Sequence, residues 1–359
     1  MIKRLDRYLL WRFLLSLFIA VGAITMVALV VDLIENLEDI VDSAASIPDV
    51  ILYYIYFIPW IYKITIPASV LMAGLFSIGL LAKNNEIIAM KSAGVSLYRI
   101  ALPLLIFTFL LSCFNFYFNE EILPITTRER IRIKHGEIQK KGDRKSQVMY
   151  NLSKQGVGGF IYHFELYKVG PEEAKNALVQ RFENDSLVES YRGEWMRFRN
   201  GQWHMLNGVY RDFEGGKETF EKFDSIVLPN CKERPEEFEK FQGKPEDMGY
   251  RELKDYINVL DKTGAPFTRE LVDLRTKLSF PFTPFIVMFI CIPLASNPKR
   301  SGVAMSFAIA AGVSLLYFVI FKVTQSLGYS GKLPPDAAAW SINIVFFIIG
   351  IFVFWRSHK

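Results

Sequence analysis

FLLSLFIAVGAITMVALVV, residues 13–31, runs for nineteen positions without one charged side chain. A helix rises about 1.5 Å per residue, so a run of this length matches a hydrocarbon core of about 30 Å. The run is longer than the apolar part of a secretory signal, about 7 to 15 residues. Acidic residues follow it instead of a small-residue cleavage site, and it is expected to remain as the first membrane helix. Outward from it, uncharged runs of similar size recur at 64–82, 100–118, 278–297, 301–321 and 337–355. The second begins earlier, near Val50, because the residues from Ile51 to Tyr62 are also apolar and only Pro59 interrupts them. The chain thus predicts an α-helical polytopic membrane protein with six spans, three on each side of a polar insert.

Of the 79 Asp, Glu, Lys and Arg residues in this 359-residue chain, 56 fall between Asn119 and Lys277, as 28 basic and 28 acidic. The insert is therefore neutral and the formal net charge of +5 belongs to the apolar ends. No basic domain exists for a nucleic acid to bind, and a chain that is 51% hydrophobic is not disordered. Lys and Arg in short loops set orientation. With the N-terminus inside, the inner segments carry Lys3, Arg4, Arg7, Arg12, Lys83, Lys91, Arg99, Lys299, Arg300, Arg356 and Lys359, against Lys332 alone in the short outer loops. The first outer loop, 32–49, holds six acidic residues and no basic one. Both termini are expected in the cytoplasm and the insert on the far side.

The insert reads as β-rich. Phe160, Tyr162 and Phe164 alternate with Ile161, His163 and Glu165, and short strand-like runs follow at 177–182, 194–199, 202–206, 209–214 and 219–228. Asn200-Gly201 and Asn207-Gly208 read as hairpin turns. The expected domain is a meander closing into a small sandwich or open jellyroll over 119–248. A helical connector follows at 249–277, with Leu253, Tyr256, Ile257 and Leu260 on one face, a stop at Gly264 and a new start at Thr268. Membrane helices one to three then occupy 1–118, and four to six occupy 278–359. Cys231 is the only cysteine in the insert, so no disulfide closes within it.

Enzyme chemistry finds no constellation. His135, His163, His204 and His358 are scattered, without HExxH or metal-ligand spacing. Gly216-Lys217, Gly243-Lys244 and Gly331-Lys332 precede Glu, Pro and Leu, so none is a P-loop, and no GxSxG elbow occurs. Neither a metal nor a cofactor is expected, and any ATP hydrolysis belongs to another chain.

Three features remain. In AKNNEIIAMKSAGVS, residues 82–96, Asn84 or Asn85 can cap a short helix, Glu86 complements its dipole and Gly94 can end it. Ile87, Ile88 and Met90 are more apolar surface than a solvated loop needs. The helix either lies on lipid or docks a cytoplasmic partner in a groove through Glu86, Ile87 and Met90. Lys63 and Lys322 border membrane segments at their outer ends, and either snorkel to the interface or face a central cavity and hold an anionic head group. Pro59, Pro67, Pro103, Pro281, Pro284 and Pro293 mark helix starts or kinks, and an interior proline needs compensation from a neighbouring helix. Phe160, Tyr162 and Phe164 either line an apolar groove or form an ordinary core.

The arrangement resembles the LptF/LptG permeases of the lipopolysaccharide export ABC transporter. The resemblance runs through LDRY at 5–8, Pro59 and Pro67, LAKNNEIIAMKSAGVS from Leu81 with Arg99 and Pro103 after it, and PEEF from Pro235. It continues in KPEDMGYREL from Lys244, IPLA from Ile292, Arg300-Ser301-Gly302, and LPPDAAAW with Asn343. LDRY and LPPDAAAW lean to the LptG branch. The resemblance implies a half-transporter in the bacterial inner membrane that pairs with a paralogous permease and a cytoplasmic ATPase dimer. Its substrate would be lipopolysaccharide, and its periplasmic jellyroll would pass acyl chains to a bridge of LptC/LptA-like jellyrolls. One departure is that Asp32, Glu35, Glu38 and Asp39 stand near the outer end of helix one, where family members carry a basic residue. A permease of a lipoprotein-release ABC system and a membrane assembly factor without a transport cycle are the alternatives, the first opposed by six spans instead of four.

Overall fold

The structure, a computed structural model, describes residues 4–42, 46–134, 148–183, 186–213, 219–228, 231, 233–235, 238, 245, 247–263, 266–296 and 303–356. His135, His358, Gly216-Lys217, Gly243-Lys244, Gly264 and the basic Lys3, Lys299, Arg300 and Lys359 lie outside the described residues. In chain order, α1 (Arg4–Glu35), the short α2 (Leu37–Asp42), α3 (Ile47–Lys83) and α4 (Glu86–Ser92) lead to α5 (Leu97–Tyr117). A π-helical turn, Phe118–Ile122, carries α5 on into α6 (Leu123–Ile133). Six strands and α7 (Tyr250–Thr263) form the insert, and α8 (Thr268–Ser279), α9 (Thr283–Ala295), α10 (Val303–Tyr329) and α11 (Pro335–Arg356) complete the chain. Among the described residues six helical stretches are long and apolar enough to cross a membrane, three before the strands and three after.

Two compact units result. One comprises Met1–Leu37, Tyr54–Thr127 and Thr268–Lys359. Its main core joins Leu9, Phe13 and Leu17 of α1, Val70, Leu71 and Leu75 of α3, Ile100 and Leu104 of α5, and Met288, Cys291 and Ile292 of α9. Lipid tails do not drive apolar helices together, so small residues and close packing hold such bundles. Gly74 shows this, because a Cβ there would overlap the Cys291 sulfur. A second cluster joins Phe280, Ile286 and Ile290 to Tyr317, Phe321, Ile342 and Phe346.

The prolines divide as sterics require. Pro281 and Pro284 occupy the first turns of the 3₁₀ segment Phe280–Phe282 and of α9, while Pro59, Pro67 and Pro293 are interior. Pro103 is interior too, well past the N-cap Ser96, so it does not serve as a helix start.

The other unit comprises Glu38–Tyr53 and Arg128–Phe267. Strands β1 (Val148–Gln155), β2 (Phe160–Lys168), β3 (Glu173–Glu183), β4 (Ser186–Arg199), β5 (Gln202–Asp212) and β6 (Thr219–Leu228) pair antiparallel in chain order. The all-β insert is a single six-stranded meander, and among the described residues it has no crossover of the kind that makes a jellyroll. Asn200-Gly201 is a hairpin turn with positive φ at both residues, 52° and 79°. Asn207-Gly208 is not a turn, because it lies inside β5 with Asn207 at φ 50°. The left-handed residue here bends a strand instead of reversing it. The pairing skips one transverse row, in which Glu165 faces Asn176, Asn176 faces Glu194 and Glu194 faces Asn207. The Asn176 amide donates to Glu165, and the Asn207 amide donates to Glu194 at 3.4 Å. Against β1 and β2 packs α7, whose Leu253, Tyr256, Ile257 and Leu260 are buried as the 3.6-residue period requires.

Candidate functional site

The helix read at 84–94 forms as Glu86–Ser92 and ends in Ala93 and a left-handed Gly94, φ 85°. Asn85 stands at the N-cap in a left-handed conformation, and its side chain caps nothing. With seven residues the helix is too short to persist alone, so other residues of the bundle hold it. Ile87 is buried in the core shared by α1, α3, α5 and α9, and Met90 packs against the same core. Glu86 is half-buried, and its Oε2 accepts a hydrogen bond from the Tyr8 hydroxyl at 2.7 Å. Tyr8 accepts from Arg12 at 3.1 Å, and the Arg12 guanidinium also lies 5.3 Å from the Tyr8 ring centre. In the same turn of α1, Asp6 pairs with Arg99 of α5 at 2.7 Å. The surface that α4 offers outward is Asn84, Asn85, Ile88, Ala89, Lys91 and Ser92.

Lys63 and Lys322 stand in different surroundings. Lys63 is half-buried well inside α3, which extends out to Ile47. Lys322 is exposed on α10 and donates to Gln325 Oε1 at 3.0 Å. Gln325 in turn donates to Asp273 of α8 at 3.2 Å, and Tyr329 donates to the same carboxylate. One polar chain thus ties the end of α10 to α8. Nothing in the spacing of Asp273, Gln325 and Tyr329 announced it, because the partners lie more than fifty residues apart.

Phe160, Tyr162 and Phe164 share one face of the sheet and are 6%, 0% and 0% exposed. With them are Tyr167, Val179, Met196, Trp203 and Met205. At the centre stands the fully buried Phe238, its ring 5.2 to 5.9 Å from those of Tyr162, Phe164, Tyr167 and Trp203. Glu233 fastens the same stretch of chain. Its carboxylate accepts from Tyr162 at 2.5 Å and its carbonyl accepts from Trp203 Nε1 at 2.7 Å. Cys231 donates to the Tyr162 oxygen at 3.1 Å. Burial pushes the Cys231 thiol up to about 12, and burial with the neighbouring Cys231 and Glu233 pushes the Tyr162 phenol upward. These groups stay protonated and act as donors. Among the described residues no group of His, Cys, Asp and Glu could hold a metal ion.

Residues 7–356 match the family described as "Lipopolysaccharide export system permease LptF/LptG". The chain belongs to that family. The permease is 19% identical to the lipopolysaccharide export system permease protein LptG of Escherichia coli (strain K12), over 98% of both chains. It is 20% identical to LptG of Haemophilus influenzae, over 100% of this chain and 99% of that one. It is also 20% identical to LptF of Escherichia coli (strain K12), over 82% of this chain and 79% of the other. The LptG relatives align from end to end and the LptF relative over about four fifths, in keeping with the LDRY and LPPDAAAW motifs. The permease is a multi-pass membrane protein and a transport subunit, not an enzyme.

Proposed function

We propose that this permease pairs with a second, similar permease and two copies of a cytoplasmic ATPase, and takes lipopolysaccharide from the outer leaflet of the inner membrane. The observation that carries the reading is α4. It is a short helix seated by Ile87 between two spans, and it presents Ile88 and Lys91 outward with Glu86 at its edge. Glu86 is the charged contact with the ATPase, while Ile87 and Met90 serve docking from within, by fixing the helix to its own bundle. The Lys/Arg distribution supports a reading with α4 and both termini in the cytoplasm and the sheet in the periplasm. Residues 1–118 and 278–359 then form the membrane halves, 119–248 the periplasmic β domain and 249–277 its helical connector.

Pairing is supported by burial. Over their most apolar stretches only 11% and 17% of the residues of α1 and α10 are buried within the chain, against 67% for α3 and for the span that ends in α9. Lys63 and Lys322 contribute charge toward an anionic head group, and the face of Phe160, Tyr162 and Phe164 receives acyl chains for delivery to a periplasmic jellyroll bridge. The test is purification of the complex from its native membrane with wild type and Glu86→Lys. Wild type should bring a permease paralogue and the ATPase, and Glu86→Lys should lose the ATPase or uncouple its hydrolysis from export. Unchanged assembly and unchanged coupled hydrolysis in Glu86→Lys would refute the reading.

A further inference from the structure

We propose that Tyr8 is the positioning residue of Glu86, and that this hydrogen bond makes the start of α1 follow α4 when the ATPase moves it. The inference rests on α4 being the docking helix. Three observations support it. First, α4 has no side-chain cap and is too short to hold its own orientation, so the anchors at its first turn decide where it points. Ile87 fixes its depth by burial, while the Tyr8–Glu86 bond of 2.7 Å fixes the direction of the carboxylate.

Second, the donor is a phenol and not a cation. An arginine at this distance would pair with Glu86 and cancel its charge, as Arg99 does for Asp6 at 2.7 Å. A phenol orients the carboxylate and leaves it negative. Arg12 bonds the Tyr8 oxygen at 3.1 Å and lies over its ring, so it braces the phenol. Glu86 is thereby held as an oriented anion, which is what docking onto a cationic side chain requires.

Third, the first turns of α1 bond to both elements that flank the Ala93-to-Ser96 turn, through Tyr8 to Glu86 on α4 and through Asp6 to Arg99 on α5. Leu9 and Phe13, in the following turns, are buried in the same core as Ile87. A displacement of α4 therefore reaches α1 by one polar contact and one packed layer.

The experiment uses the full complex in proteoliposomes with purified lipopolysaccharide, after membrane levels of each variant are matched. Affinity for the ATPase and lipopolysaccharide released per ATP are measured for wild type, Tyr8→Phe, Glu86→Ala, Glu86→Lys and the Tyr8→Phe/Glu86→Ala pair. Tyr8→Phe keeps the ring and removes only the hydroxyl. Losing a hydrogen bond to a charged group should weaken docking about tenfold and lower release per ATP. In the Glu86→Ala background, Tyr8→Phe should cost nothing more. Normal docking and release in Tyr8→Phe while Glu86→Lys fails would overturn this inference and leave the docking reading standing. An equal loss from Tyr8→Phe in both backgrounds would overturn it as well, because the Tyr8 hydroxyl would then act through another partner, such as Arg12, and not through Glu86. Normal assembly of Glu86→Lys would remove the docking reading itself.

Discussion

Asn343 is the residue on which the second half of the membrane unit should depend most. Pro281 and Pro284 have no N–H to give, and the Thr283 N–H turns back to Phe280. The Ser279 carbonyl therefore lacks its i+4 donor and keeps only the 3₁₀ turn, and Asn343 Nδ2 adds a donor from α11 at 2.8 Å. The other end of the same amide accepts from Tyr317 of α10 at 2.9 Å, and Tyr317 meets Thr283 at 2.8 Å. All four residues are 2% exposed or less. In a bilayer an interhelical side-chain bond is worth about 0.6 kcal/mol on average and about 1.7 at most. Asn343→Leu keeps the volume and removes two such bonds, so it should cost about 1 to 3 kcal/mol. Tyr317→Phe removes the bonds to Asn343 and to Thr283.

Because both variants break the one Tyr317–Asn343 bond, the double variant should cost less than the two added together, by about 0.6 to 1.7 kcal/mol. Reversible unfolding in mixed micelles gives the four free energies of this cycle. A coupling below about 0.3 kcal/mol, within ordinary additivity, would refute the clamp and return Asn343 to an incidental core position.

Gly156→Ala should destabilise the β domain by about 1 to 3 kcal/mol, since a Cβ there overlaps the Glu233 carboxylate and the Tyr162 ring; a melt at wild-type temperature would contradict this. Burial lowers the pKa of His163, which bonds Ser153 at 2.6 Å, so the neutral form is favoured in the fold. Its contribution should be fully present above pH ~6.5 and lost as pH falls through the lowered value; His163→Gln should flatten that part of the stability profile. Phe238→Ala should raise lipid cross-linking from probes at Phe160 or Phe164 during export, and equal yields in wild type and variant would count against an acyl path on that face.

Six spans were legible because bilayer length and the absence of charge are properties of single runs. The α4 loop was legible for the same local reason, with Gly94 marking its end. What the sequence hid is non-local. Glu86 meets a tyrosine 78 positions away, and Lys322 is tied through Gln325 to a carboxylate on another helix. Local signals also misled where one residue type serves two geometries. Asn207-Gly208 has the chemistry of a hairpin turn, but its neighbours on both sides continue to pair with β4, so the left-handed Asn becomes a bend. Pro103 has the look of a helix start, yet Ser96 caps the helix earlier and the proline falls inside.

That bend explains how one ring meets side chains from both ends of the face. Strict alternation would put Phe164 and Leu166 on the core face and send Tyr167 outward. Across the row of Glu165, Asn176, Glu194 and Asn207 the facing switches instead, so Tyr167 and Ala174 meet the same core as Phe164 and Ala177. The two halves of each strand then look toward one centre, and Phe238 fills it. An acyl chain lying against Phe160, Tyr162 and Phe164 needs that same volume, because close-packed interiors leave no room for both. Passage of lipid over this face therefore requires Phe238 to leave. The bonds that must break are those of Glu233 to Tyr162 and Trp203, which lie on the very strands that carry the face.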